Sequence, residues 1–249
     1  MILYSVDNAV ASITLNRPEK RNALNDELIA AIKQGLTKAA ADRNVRVIVI
    51  SGAGNDFCSG ADLSALQKIA GASVDGNAED ARLLLDLFVQ MRAIRVPVVA
   101  AVKGRALAGG CGLASACDLV LASESARFGY PEVKIGFVPA MVLAILRRNV
   151  SEKRAFELLT RGEEIDAARA KEIGLVNQVF GDETFDRQVD EYLRRFTEVS
   201  ATAVALTKSL LYQVDGLAFL EALETGADVN VIARLTEDCQ AGIARFLKK

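Results

Sequence analysis

Two short stretches have the composition of an anion-binding backbone: FCSGADL (57–63) and ALAGGCG (106–112). Each reads as a strand end, then small residues, then a helix start. A helix N-terminus presents N–H groups that no earlier carbonyl can accept from, and aligned peptide dipoles add partial positive charge there. Two such ends brought together make an oxyanion hole, which stabilises a developing alkoxide or enolate. Small residues suit the task because a carbonyl oxygen must approach the backbone closely. The same residues would equally allow tight helix–strand packing, and either stretch taken alone is accounted for that way. No acid or base stands in ALAGGCG, and its last position is a further glycine, Gly112.

The rest of the composition narrows what could move a proton. The 249 residues contain no histidine, which removes Ser-His-Asp and Cys-His triads and histidine-based metal sites together. A general acid or base must then be a carboxylate, lysine, tyrosine or thiol. Cys58, Cys111, Cys117 and Cys239 form no CxxC pair and read as reduced thiols. With no clustered carboxylates either, no metal is expected. Gly52 and Gly54 open a G-x-G, but Phe57 stands where a dinucleotide fingerprint needs its third glycine, and no phosphate-binding G-K-[ST] occurs. Thirty basic against 32 acidic residues leave a net charge of −2, which offers nucleic acid no electrostatic footing. The opening MILYSVDNAVASITLN lacks the charged and apolar regions of a secretion signal. The longest apolar candidate, IRVPVVAAVKGRALAGG, is interrupted by Pro97, Lys103 and Arg105, short of a membrane span. A cytoplasmic protein is expected.

The elements that must hold the two stretches follow from periodicity. Residues 2–6 and 10–15 alternate and predict a hairpin turning at Asp7-Asn8. Asn25 caps a helix running to about Ala40, with Leu28, Ile32 and Leu36 at helical spacing. Three β-branched runs, 45–54, 96–104 and 117–123, predict buried strands, each followed by small residues and a helix. GASVDGNAED (71–80) predicts a mobile loop. After about Asp182 the strand signals stop and four helical stretches follow. The expected division is a mixed α/β core over 1–190 and a helical region over 191–249.

Five motifs then appear in order: NRPEKRNALN, FCSGADL, KGRALAGGCGLASACDLVLAS, ARFGYPEVKIGFVP and GLVNQV. In sequence and spacing they resemble the enoyl-CoA hydratase/isomerase (crotonase) superfamily, over essentially the whole chain. The resemblance implies a crotonase-like β-β-α spiral core with a C-terminal helical region that packs trimers, often paired into hexamers. It implies an acyl-CoA thioester as substrate, with the N–H groups of Ala61 and Gly109 gripping the thioester oxygen. It also implies contacts from Arg21 and Ala23 to the CoA nucleotide, and from Phe246 and Lys249 to the CoA of a neighbouring subunit. No cofactor beyond the CoA of the substrate is implied.

Hydratases of that family place two glutamates around the reacting carbons. One falls three residues after the oxyanion glycine, here Gly112, and the other twenty residues later, here Glu132. A glutamate in a loop is ordinarily a solvated one. Pro131 before it, its apolar flanks and the place the family motif gives it imply instead a catalytic carboxylate. Burial near an apolar acyl chain would raise its pKa, fitting it to take and return a proton. Whole-chain likeness favours hydration of a 2-enoyl-CoA, including branched methylglutaconyl-CoA-like substrates, with Ser115 or Tyr130 as candidates for holding water. The single carboxylate favours Δ3-Δ2-enoyl-CoA isomerisation. A family member that binds acyl-CoA or RNA without turnover is the alternative of another class.

Four smaller features read as structural. Asp118 braces the strand it precedes, Asp62 sits in a helix first turn, Cys111 is a packed thiol, and LRRNVSEKR (146–154) is a solvated helix face capped at Ser151. Leu217, Phe219, Leu220 and Leu223 exceed what one helix can bury against itself, consistent with a subunit interface.

Overall fold

The computed structural model describes residues 1–248, so Lys249 lies outside the described residues. Strands β1 (Ile2–Asp7) and β2 (Val10–Leu15) form the hairpin. Its turn falls one residue later than expected: Asn8 and Ala9 are both at positive φ, 46° and 65°. Two left-handed residues in succession give the twist that matches a tight hairpin. Asn25 Oδ1 accepts the Leu28 N–H at 3.0 Å and starts α1 (Asp26–Ala41), which buries Leu28, Ile32 and Leu36. Strand β3 (Val47–Gly52) follows.

The next segment departs from expectation. Instead of a loop over 71–80, α2 (Leu63–Gly71) and α3 (Val74–Ala93) are separated only by Ala72 and Ser73. Ser73 Oγ accepts the Gly76 N–H at 3.1 Å, and Asp75 sits in the first turn where the dipole favours an acid. Leu87, Phe88 and Met91 then bury the far end of α3.

Strand β4 (Val98–Val102) leads to the three-residue β5 (Arg105–Leu107) and then α4 (Gly109–Ala116). Next come β6 (Leu119–Ser123), β7 (Arg127–Gly129), a 3-10 turn over Pro131–Ile135, α5 (Ala140–Asn149) and α6 (Glu152–Arg161). Then β8 (Glu164–Asp166), α7 (Ala167–Glu172), β9 (Gln178–Phe180) and α8 (Phe185–Arg194) complete the part built on sheets. The chain ends in α9 (Ala201–Gln213), α10 (Phe219–Arg234) and α11 (Glu237–Phe246).

The main sheet has the order β1-β2-β3-β4-β6-β9, antiparallel at the hairpin and parallel elsewhere. A small second sheet, β5-β7-β8, stands beside it. Alternation sorts the side chains. Ile48, Ile50, Val98, Ala100 and Val102 enter the larger core with α1, α3 and α4, while Val47, Val49, Val99 and Ala101 face Phe185, Val189 and Leu193 of α8. Residue 190 therefore falls inside a helix packed on the sheet. Beyond it, α9 is fastened by a buried polar cluster. Lys208, 7% exposed, donates to the carbonyls of Met91 (3.0 Å) and Val96 (3.1 Å) and pairs with Asp118 Oδ2 at 2.7 Å.

Candidate active site

The two glycine-bearing stretches meet. Leu24 forms a parallel bridge with Ala61: its N–H donates to Gly60 O at 2.7 Å, and its carbonyl accepts the Asp62 N–H at 2.9 Å. In an extended segment successive backbone groups point to opposite sides, so the Ala61 N–H faces away from Leu24. On that other side run β5 and the start of α4. Cys58 bonds to Arg105 and Leu107 there, and a Cβ on Gly60 (φ 98°) would lie 2.7 Å from Ala108 Cβ. Neither the Ala61 nor the Gly109 N–H has an acceptor among the described residues.

The glycine pair divides its work. A Cβ on Gly110 would stand 2.2 Å from Cys58 O, so only glycine lets α4 rest on the 57–61 segment. A Cβ on Gly109 would meet nothing closer than Leu24 Cδ1 at 3.5 Å, an ordinary contact. Packing thus explains Gly110 and leaves Gly109 available for another role. Ala108, just before, is held at φ 50°, ψ −128°, a region costing an L-residue roughly 1–3 kcal/mol. Its N–H is pinned by Gly129 O at 2.8 Å.

That last bond joins α4 to the segment bearing Glu132. The 3-10 turn Pro131–Ile135 closes on Gly136 in the left-handed conformation, and Glu132 O accepts the Phe137 N–H at 3.0 Å. The side chain is half-buried, and its Oε2 is a buried oxygen without a hydrogen-bond partner among the described residues. Burial raises its carboxyl above the ordinary range, opposed only by a bond from its own backbone. Its charge also raises the Cys111 thiol in α4 and the Tyr130 hydroxyl, as smaller contributions beside burial.

Ser115 and Tyr130 are committed elsewhere. Ser115 Oγ donates to Cys111 O at 2.7 Å and lies 2.8 Å from Tyr130 Oη, with both residues buried. As water holders they are therefore corrected: their hydrogen-bonding groups face one another. Cys111 is fully buried and its thiol is pushed up to about 12, chiefly by burial, so it is the packed thiol expected. The place of the absent first glutamate is filled. A Cβ on Gly112 would stand 2.7 Å from Val142 Cγ2 and 3.5 Å from Phe88 Cζ.

The loop before α1 contains residues whose roles the sequence concealed. Asn22, at φ 54° and fully buried, donates to Ala53 O (2.9 Å) and Asp56 O (2.8 Å) and accepts from the Arg17 N–H (2.9 Å). Arg17 pairs with Asp62 at 2.7 Å and donates to Ala23 O at 2.6 Å. Asp62 is the N-cap of α2 rather than a first-turn residue. Its bonds from Ser64 and Arg17 hold its carboxyl down at about 2. Arg21 is exposed at φ 49° beside the buried Ala23, and the Arg21 carbonyl accepts the Ser59 N–H at 3.0 Å. Phe246 ends α11, 78% exposed, on a helix that packs against α9 and α10.

Comparison with solved structures defines the class: this is the crotonase fold. An enoyl-CoA hydratase from Mycobacterium smegmatis superposes with a TM-score of 0.95 at 30% identity, covering 99% of this chain and 96% of that one. Human enoyl-CoA hydratase domain-containing protein 3 gives 0.94 at 29% identity, covering 99% and 97%. Among sequences, the 2,3-dehydroadipyl-CoA hydratase of Escherichia coli is 34% identical over 249 residues, all of this chain and 96% of its own. The Enoyl-CoA hydratase/isomerase model matches residues 5–249, and the chain belongs to that enzyme family.

Proposed function

We propose that the protein hydrates a 2-enoyl-CoA, with Glu132 as its one acid/base and the Ala61 and Gly109 N–H groups as the oxyanion hole. The observation that carries the reading is the unpartnered, buried Oε2 of Glu132, on a segment tied to the start of α4 by the Ala108 N–H to Gly129 O bond. As water oxygen bonds to C3, Glu132 takes its proton, and the C2=C3 electrons pass through C2 to the thioester oxygen. The resulting enolate is held by the two N–H groups, one such donor being worth about 3 kcal/mol in a transition state. Glu132 returns the proton to C2, giving a 3-hydroxyacyl-CoA with both new bonds on one face. The names of the relatives support hydration.

The filled space at Gly112 favours a second reading. With no second carboxylate, Glu132 would take a C2 proton from a 3-enoyl-CoA and return it at C4. That is Δ3-Δ2 isomerisation through the same enolate hole.

Arg21, Ala23 and, from a neighbouring subunit, Phe246 and Lys249 are proposed to contact CoA. Exposed Phe219 (80%), Leu220 (65%), Leu235 (78%) and Phe246 (78%) support a homotrimer or homohexamer. No helix among the described residues is long and apolar enough to cross a membrane. A cytoplasmic enzyme without a cofactor beyond the substrate's CoA is the reading proposed. The test is a paired assay on crotonyl-CoA and a 3-enoyl-CoA. Hydration removes the conjugated thioester absorbance of the first, and isomerisation creates it from the second. Glu132→Gln should abolish whichever reaction is seen while CoA binding persists.

A further inference from the structure

Behind Gly112 lies a cavity of about 540 Å³, the size that holds a small-molecule ligand. Its wall is largely apolar, with Leu85, Phe88 and Val89 of α3, Met141 and Ile145 of α5, and Leu211 of α9. The Phe88 ring lines this cavity and also stands 3.5 Å from where a Cβ on Gly112 would be. The cavity is thus about one aromatic ring from the glycine three residues past Gly109. It extends along α4 to Ser115, Ala116 and Cys117. The helix has eight residues, a path of about 12 Å.

The charges at this end do not cancel. Asp118 is paired with Lys208, which leaves Arg92, Arg148 and Asp215. Both guanidiniums donate to the same oxygen, Asp215 Oδ2, so two cations share one carboxylate. Arg92 also stacks over the Tyr212 ring, 4.4 Å from its centroid, and Arg148 Nη1 donates to Ala144 O. Arg92 Nε and Nη1 and Arg148 Nη2 have no acceptor among the described residues. An apolar cavity ending in one surplus positive charge and free, forked donors matches an aliphatic chain that ends in a carboxylate.

We propose that this cavity receives the distal end of the acyl chain, and that Arg92 and Arg148 select an ω-carboxylated, medium-length enoyl thioester. The proposal rests on the reading of Ala61, Gly109 and Glu132 as the thioester site. The chain would run from that site past Gly112 alongside α4, with the Phe88 ring moving aside to admit it. Arg92 and Arg148 are specificity residues that touch the tail and not the reacting carbons.

The test uses the purified full-length protein and 2-hexenoyl-, 2-octenoyl- and 2-decenoyl-CoA, each with a methyl or a carboxylate terminus. The carboxylate-ended substrate should have at least a tenfold higher kcat/KM at the preferred length. Arg92→Gln and Arg148→Gln should each erase most of that ratio while leaving turnover of crotonyl-CoA within twofold. Phe88→Ala should favour the longer chains. Calorimetric binding of the saturated methyl- and carboxylate-ended thioesters reads the cavity without turnover. A carboxylate preference in binding with no hydration would therefore sink the catalytic reading and keep this one. Equal binding of the two ends by the wild type would overturn the proposal. So would arginine variants that weaken both ends alike, since that marks the cluster as structural.

Discussion

At the scale of single residues the proposed chemistry turns on Glu132 and Gly112. A carboxyl whose folded pKa is raised is destabilising once ionised: the cost is absent below the unfolded value near 4.5 and grows as pH rises through the folded value. Glu132→Gln removes that cost, so it should raise the melting temperature at pH 7 while abolishing activity. Unchanged stability in a thermal melt would mean that the carboxylate finds a partner in solution. In the proposed hydration the ionised form takes the first proton, so the acid limb of kcat/KM should lie higher than for an ordinary glutamate. At Gly112 a side chain collides with Val142 Cγ2 at 2.7 Å. Gly112→Ala should therefore cost roughly 1–3 kcal/mol in urea unfolding, and Val142→Ala in the same chain should recover part of the loss. Ala61, Gly109 and Glu132 were proposed as a set because the three separate motifs that hold them resemble those of the family. Val142 and Phe88 were not, since their bearing on position 112 comes from helices distant in sequence. Asn22 and Arg17 were hidden for the same reason, their partners lying up to 45 residues away.

Among the elements, burial decided which could be read. Strands β3, β4 and β6 are β-branched runs covered on both faces, and their expected spans exceed the observed ones only at the ends. Helix α3 was obscured because Gly76, Asn77 and two neighbouring acids give its first turns a loop-like, solvent-facing composition. Strands β5, β7 and β8 have three residues each and exist through pairing with one another and, for β5, with the Cys58 segment. The same principle fixes α9. All three donors of the Lys208 ammonium are satisfied by Met91 O, Val96 O and Asp118, and Asp118 also accepts from the Val98 N–H and Tyr212 Oη. Lys208→Met would leave a mostly buried carboxylate without its counter-charge, and should cost about 3–5 kcal/mol in denaturant unfolding. A loss below 1 kcal/mol would show that α9 is held by apolar packing alone. The Arg17–Asp62 pair that caps α2 acts in acid. Its contribution is complete above the unfolded value near 3.8 and is lost as pH falls through about 2, so Asp62→Asn should flatten stability over that window.

For the whole molecule, α9–α11 leave more apolar surface than a lone chain would keep in water. Leu220, Leu223, Leu235 and Leu247 are each more than half exposed. Light scattering should give a mass about three or six times the 26.7 kDa of one chain. Leu220→Glu with Leu223→Glu should shift it toward the monomer, and a wild-type monomer at micromolar concentration would contradict the assembly. The deciding measurement is the absorbance of the conjugated thioester on mixing the enzyme with crotonyl-CoA. Hydration through Glu132 predicts loss of that absorbance with wild type and none with Glu132→Gln. Absorbance that holds steady with crotonyl-CoA but grows from a 3-enoyl-CoA would contradict hydration, and an active Glu132→Gln would remove Glu132 from the mechanism.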